Sequence, residues 1–245
     1  MCNFGKFRCK GTHIVFHNIN RLYCKLDEVR FHLNASDIDA ICFAETFLKE
    51  SHFNHELLVP GFKFLRQDRT MCGGGGFMLY YKDCLNVVHR TDISCNLQQF
   101  TESIWVEIVY PHSKNVLLGF IYRSPSESVS EWYDPFETMI IRARETSLHT
   151  IILGDFVIDL LRESGSQHLC DLMSSYGMEQ LVDKPTRITD TSRTLIDHIY
   201  VSNSSYVSEV CISSLSLSDH FPVGLTWKKG NSTPPGGHKQ IHYSP

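Results

Sequence analysis

The chain has 245 residues, with 23 Lys and Arg against 27 Asp and Glu, a formal net charge of −4, and 42% apolar and 20% charged residues. That balance is ordinary for a globular domain, and 15 Phe, 10 Tyr and 3 Trp exclude disorder over most of the length. No apolar run approaches the roughly 18 residues of a membrane span, and the slight acidity argues against bulk electrostatic binding of nucleic acid while leaving room for a local basic face around an acidic, metal-binding cleft.

Short runs rich in β-branched and aromatic residues predict strands at His13–Asn18, Asp39–Ala44, Phe77–Tyr81, Ile104–Val109, Val116–Tyr122, Thr150–Leu153, His198–Val201 and Phe221–Trp227. Between them lie helical patterns. Leu22, Leu26, Val29 and Leu33 fall at spacings of four, three and four, which predicts a helix over Leu22–Leu33. Trp132–Ala143 and His168–Tyr176 are similar. Strands outnumber helices and are interleaved with them, so the expected class is a layered α/β or α+β domain with mixed sheets. Gly73–Gly76 lacks the Lys-Ser/Thr of a phosphate-binding loop and is expected to form a hairpin turn or flexible loop. Residues 1–227 are expected to be one domain, and 228–245, rich in Pro and Gly, a flexible tail or linker.

Nine scattered cysteines without a C-x-x-C pair do not suggest zinc or a disulfide framework. They predict plain thiols in a reducing compartment. Met1–Lys10 has no apolar signal core, so an intracellular protein is expected.

The informative feature is the set of polar residues at strand ends. Asn18 ends the first strand and Glu45 follows the second. Tyr122 and Arg123 end a third, and Asp155 a fourth, with Asp159 four residues on. Asp197-His198 and Asp219-His220 flank two more. A single carboxylate there is usually a turn residue or helix cap. Recurrence is different, because carboxyl ends of strands are where layered α/β sheets place ligands. Several acids brought together repel one another, and a divalent cation relieves that. Hard oxygen donors without a Cys/His cluster point to Mg²⁺ or Mn²⁺. Such a cation, with His, Asn and Tyr nearby, suits attack of water on a phosphate ester.

Asn18-Ile19-Asn20, Ala44-Glu45-Thr46, Ile121-Tyr122-Arg123-Ser124-Pro125, Gly154-Asp155-Phe156 with Asp159, Ile196-Asp197-His198 and Ser218-Asp219-His220-Phe221-Pro222 resemble, in order and spacing, the motifs of the endonuclease/exonuclease/phosphatase (DNase I-like) superfamily. The resemblance runs from about His13 to Trp227. The text around Gly73–Asp83, Glu102–Ile108 and Lys184–Ile199 looks most like the endonuclease domain of LINE-type non-LTR retrotransposon polyproteins. It implies a four-layer sandwich of two packed mixed sheets flanked by helices. It also implies a metal-dependent enzyme that nicks DNA, fused to a reverse transcriptase, with nuclear action and no membrane partner.

The resemblance also implies roles. Glu45 is the principal metal ligand, assisted by Asp219. Asn18 contacts the metal or positions the phosphate, with Asn20 in support. Tyr122 donates to a phosphate oxygen or helps stabilise the leaving group. Asp155 orients and deprotonates the attacking water. His220 donates to the phosphate, and Asp197 fixes its ring. Arg123 is assigned to the substrate. In the Lys184–Arg193 loop, Arg187 and Arg193 suit the phosphate backbone of a duplex. One residue departs from the pattern: Val157 stands where the family has Asn. Losing one such donor typically lowers a rate by ~10²–10³, so activity is expected to be impaired. Restoring Asn is expected to recover turnover with a slight loss of thermal stability, since an amide replaces an apolar group. A phosphatase or lipid phosphodiesterase of the same superfamily, or a catalytically weak DNA-binding module, remain the alternatives.

Overall fold

A computed structural model describes residues 7–69, 74–94, 101–228 and 241–243. In chain order the elements are β1 (Thr12–Asn18), α1 (Leu26–Asn34), β2 (Ala40–Ala44), β3 (Phe62–Gln67), β4 (Phe77–Lys82), β5 (Val87–His89), β6 (Thr101–Ile108), β7 (Val116–Arg123) and α2 (Val129–Thr146). There follow β8 (Thr150–Asp155), α3 (Glu163–Ser175), β9 (Glu179–Gln180), β10 (Arg187–Ile188), β11 (Arg193–Thr194), β12 (Asp197–Val201), β13 (Val207–Ile212), β14 (Val223–Trp227) and β15 (Ile241–Tyr243). The chain divides into two compact units, Met1–Leu85 with Ser205–Pro245, and Asn86–Ser204.

The first unit holds a seven-stranded mixed sheet in the order β15-β13-β14-β1-β2-β4-β3. β1 and β2 are parallel, as a crossover through a helix requires. That helix, α1, buries Leu26, Val29 and Leu33. They join one core with Val15, Ile41, Phe43, Met78 and Tyr80. Asn18 has the opposite parity to Val15, so it leaves the other face of the sheet.

The second unit holds a six-stranded mixed sheet, β5-β6-β7-β8-β12-β9, and the two-stranded ribbon β10-β11. Here β7 and β8 are the parallel pair, and α2 is their crossover. Trp132, Phe136, Met139 and Ile140 of α2, with Leu169 and Met173 of α3, pack with Trp105, Leu117, Ile121, Ile152 and Tyr200 of the sheet. Gly154 is fixed by sterics: a Cβ there would lie 2.1 Å from the Ile121 carbonyl oxygen of the neighbouring strand.

The α/β class, with two mixed sheets and flanking helices, is therefore as expected. Two six-residue strands, β3 and β13, are not predicted from the sequence, nor are the two- and three-residue strands β5, β9, β10, β11 and β15. β3 is an edge strand with Lys63 and Arg66 among its residues, the charged composition that edges carry. The pairing of β13 with β14 shifts register between Val207 and Glu209, which breaks the alternation. The first helical turn expected at Leu22 is a 3₁₀ turn, Tyr23–Lys25. β3 and β4 are antiparallel, so the glycine-containing connection closes a hairpin, although 70–73 lie outside the described residues. Most of the expected tail, 229–240 and 244–245, lies outside them as well. Within it, Ile241–Tyr243 pairs parallel to β13.

Candidate active-site residues

In the second unit, strand register assembles a polar row. Tyr122 pairs with Asp155 across β7 and β8. Asp197 pairs with Asp155 across β12 and β8. Glu102 pairs with Tyr122 across β6 and β7. Residues opposite one another on adjacent strands share a face, so Glu102, Tyr122, Asp155 and Asp197 form one line on the face away from α2 and α3. All four are buried. Buried carboxyl groups cost a fold unless they are paired or hydrogen-bonded, and three of them gathered in one row make the row a candidate functional site. Glu102 was not assigned a role from the sequence. It sits within Thr101–Ile108 rather than at a carboxyl end, and only the antiparallel register of β6 brings it into line.

The turn after Asp155 has an unusual backbone. The Val157 N–H donates to Asp155 Oδ1 at 3.1 Å, an Asx-turn. Val157 itself has φ +51°. A β-branched residue in the left-handed region is an outlier and costs about 1–2 kcal/mol. Arg123 meets this turn directly. Its Nε donates to the Phe156 carbonyl at 2.7 Å, its Nη2 to the Val157 carbonyl at 2.8 Å and its Nη1 to the Glu127 carbonyl at 2.8 Å. Hydrogen bonds from a charged donor contribute roughly 1.5–3 kcal/mol each, enough to outweigh the strain. Burial pulls the Arg123 pKa down, and the nearby Glu127 and Asp155 charges oppose that. With 3% exposure and its donors spent on carbonyls, Arg123 braces the backbone. The assignment to substrate is corrected accordingly.

Asp159 and His198 are structural. Asp159 Oδ1 accepts from the Leu195 and Leu161 N–H groups at 2.9 and 3.1 Å, tying the turn to the segment between β11 and β12. His198 stacks on Phe156 with ring centroids 4.7 Å apart. Its Nε2 donates to the Ile158 carbonyl at 3.0 Å. Burial pushes its pKa down to about 4, so it is neutral.

In the first unit, Asn18 ends β1 and Glu45 follows β2, whose last residue Ala44 is in register with Asn18. Asn18 Oδ1 accepts from the Asn20 N–H at 3.2 Å, which turns its Nδ2 toward Glu45 Oε1 at 3.0 Å. Asn18 thus orients the Glu45 carboxylate. Asn20, Arg21, Glu45 and Phe47 all have positive φ, at 45°, 75°, 52° and 54°. Lys25 Nζ donates to the Ile19 and Asn20 carbonyls at 2.6 and 2.7 Å.

The loop bearing Asp219 and His220 is stapled by hydroxyls. Ser218 Oγ donates to the Asn18 carbonyl at 2.6 Å and accepts from the His220 N–H at 3.1 Å. His17 Nε2 donates to the His220 carbonyl at 3.1 Å. Burial first, and then the neighbouring His220, lowers the His17 pKa to about 3, so His17 is a neutral donor. The structure therefore brings Asn18, Asn20 and Glu45 together with the Asp219–His220 loop in one unit. In the other it brings together Tyr122, Asp155 and Asp197.

The Lys184–Arg193 segment holds the β10-β11 ribbon. Arg187 pairs with Thr194 and Ile188 with Arg193, so the two arginines lie on opposite faces. Arg193 is exposed and Arg187 half-buried.

No family model matches the chain, and no curated protein matches it in sequence. Solved structures do match in fold. The fold they share with this chain is the DNase I-like fold. The endonuclease domain of TRAS1, a telomere-specific non-LTR retrotransposon, has a TM-score of 0.68 at 14% identity, covering 90% of this chain and 99% of that one. The 3′-5′ exonuclease NExo from Neisseria meningitidis has a TM-score of 0.67 at 16% identity, covering 89% and 100%. An AP endonuclease from Archaeoglobus fulgidus has a TM-score of 0.63 at 12% identity, covering 88% and 99%. The resemblance read from the motifs thus holds at the level of fold. Among the described residues no helix is long and apolar enough to cross a membrane.

Proposed function

We propose that the chain is a divalent-metal-dependent phosphodiesterase that nicks DNA. The observation that carries the reading is the buried row Glu102–Tyr122–Asp155–Asp197, placed at the carboxyl ends of the parallel strands β7 and β8 in a fold shared with nucleases. Structural neighbours support DNA as the substrate: a related NExo structure is of a 3′ phosphatase bound to a product DNA hairpin.

Glu45 and Asp219 would hold Mg²⁺ or Mn²⁺. The donors fit such a hard cation, since they are carboxylate oxygens without thiolates, and Asn18 presents the Glu45 carboxylate in a fixed orientation. The cation, when bound, supplies a Lewis acid and neutralises phosphate charge. Asp155 takes the proton of the attacking water. Tyr122 and His220 donate hydrogen bonds to phosphate oxygens, where preorganised donors act most strongly, and Asp197 serves the same reaction. Arg193, exposed on the ribbon, neutralises backbone phosphate. Val157 offers no side-chain hydrogen bond, so turnover is reduced relative to a chain with Asn there. In its parent polyprotein the domain precedes a reverse transcriptase and acts in the nucleus.

Relaxation of supercoiled plasmid in Mg²⁺ or Mn²⁺, abolished by EDTA, is the expected result. Nicking that persists in EDTA, or hydrolysis of inositol phosphates or lipids in place of DNA, would overturn the reading. DNA binding without nicking in either metal would leave a binding module.

A further inference from the structure

The carbonyls of Phe156 and Val157 flank residue 157. In an extended chain such neighbours point to opposite sides, and one edge of a planar guanidinium cannot reach both. Here the Nε–Nη2 edge of Arg123 takes both, at 2.7 and 2.8 Å. That is compatible only with a residue 157 that has left the extended region, as its φ of +51° records. The third arm, Nη1 to the Glu127 carbonyl at 2.8 Å, fixes the fork to the segment after β7. The same turn carries the Val157 N–H to Asp155 Oδ1. Val is among the residues least suited to this conformation, so it persists because its surroundings over-determine it.

We propose that Arg123 is a positioning residue for Asp155. Its guanidinium keeps Val157 left-handed, and the Val157 N–H so held sets the orientation of the Asp155 carboxylate. The clamp itself stands on geometry alone. Its effect on turnover rests on the phosphodiesterase reading above.

A second turn supports the assignment independently. After Asn18, Lys25 takes two consecutive carbonyls, those of Ile19 and Asn20, while the left-handed Asn20 donates to Asn18 Oδ1. A cation on two adjacent carbonyls, beside an Asx-turn, thus recurs where another candidate residue ends a strand.

The experiment uses Arg123→Lys, Val157→Gly and the double variant of the full chain. Lys keeps the charge but loses the fork. Gly accepts the left-handed region without strain and adds no functional group. Amide hydrogen exchange at Val157 is expected to quicken in Arg123→Lys, while the paired amides of β7 and β8 keep their protection. Unchanged exchange at Val157 overturns the clamp, whether or not the chain has nuclease activity. In plasmid nicking, Arg123→Lys is expected to lower kcat by about 10–100-fold, the range seen when outer supports of a site are removed, with KM unchanged. Val157→Gly in that background is expected to recover most of the loss. No recovery, or a change confined to KM, overturns the link to turnover. If Arg123→Lys fails to fold, the guanidinium protons of the unaltered protein decide. Slow exchange at Nε and hindered rotation of the Nη groups by NMR support the clamp, and a freely rotating guanidinium overturns it.

Discussion

In the first unit Asn18 ends β1, its Oδ1 accepts from the N–H two residues on, that residue is left-handed, and Lys25 takes the carbonyls of Ile19 and Asn20. In the second unit Asp155 ends β8, its Oδ1 accepts from the N–H two residues on, that residue is left-handed, and Arg123 takes the two carbonyls. The geometry is alike and the residues differ. Asn20 enters the left-handed region readily, because its short polar side chain bonds locally. A half-buried Lys, a flexible point charge, is enough to hold it. Val157 resists the same conformation, and it is held by a buried Arg with a rigid fork. The strength of the brace follows the reluctance of the residue it braces.

The units differ also in how they gather polar groups. In the second, ladder register does the work and puts four residues in one row. In the first, side chains on irregular backbone are fixed by Ser218, His17 and Asn18.

The largest effect that would separate the two halves is on activity. Glu45→Gln removes the charge proposed to hold the cation and should reduce plasmid nicking by more than 10²-fold, with the thermal midpoint kept. Undiminished nicking at low Mg²⁺ would remove the first unit from the chemistry.

Acid stability tests the two buried imidazoles. His198 takes its proton near 6.5 when unfolded and near 4 when folded, and His17 near 6.5 and near 3. Between those values the unfolded chain holds more protons, so stability falls as pH drops from 6.5, by ~3 kcal/mol or more for each histidine. The loss due to His198 is complete near pH 4, whereas that due to His17 continues lower. Urea unfolding of His198→Gln, which keeps a neutral donor for the Ile158 carbonyl, should show a shallower pH dependence between 6.5 and 4. An unchanged slope would show that His198 is not buried neutral.

Asp159→Ala strips the Leu195 and Leu161 amides of their acceptor and should cost about 1–3 kcal/mol in urea unfolding. If it abolishes nicking without loss of stability, Asp159 belongs to the site and not to the turn.

The exchange of conformational preferences gives a smaller and more pointed comparison. Val157→Asn should stabilise the chain, and Asn20→Val should destabilise it, each by about 1 kcal/mol. This reverses the sign expected from polarity alone, because backbone strain outweighs the amide at a half-buried position. Equal midpoints for all three proteins would mean that neither turn is strained.

The smallest effect concerns the ribbon. Arg193→Ala should lower the salt slope of DNA binding by about 1, and half-buried Arg187→Ala by less. Equal effects would mean that both faces of the ribbon meet phosphate.

The sequence alone determined the strand ends and what stands on them. Short β-branched runs bounded by Asn18, Glu45, Tyr122 and Asp155 are local signals, since strand periodicity and turn chemistry act over a few residues. The motif order that resembles that of the superfamily lies in the chain as well. Tertiary structure alone decided which candidates face the same way. Glu102 joined the row, and Arg187 parted from Arg193, through register, which depends on partners far away in sequence. Arg123 reads as a substrate residue, and Asp159 as one of the acids after strand ends, because their types and spacing fit. Only their acceptors and donors, supplied by Phe156, Val157, Glu127, Leu161 and Leu195, show them bracing backbone. The positive φ at Val157 was equally out of reach, because a β-branched residue disfavours it: the conformation is imposed on an unwilling residue by a guanidinium from another strand.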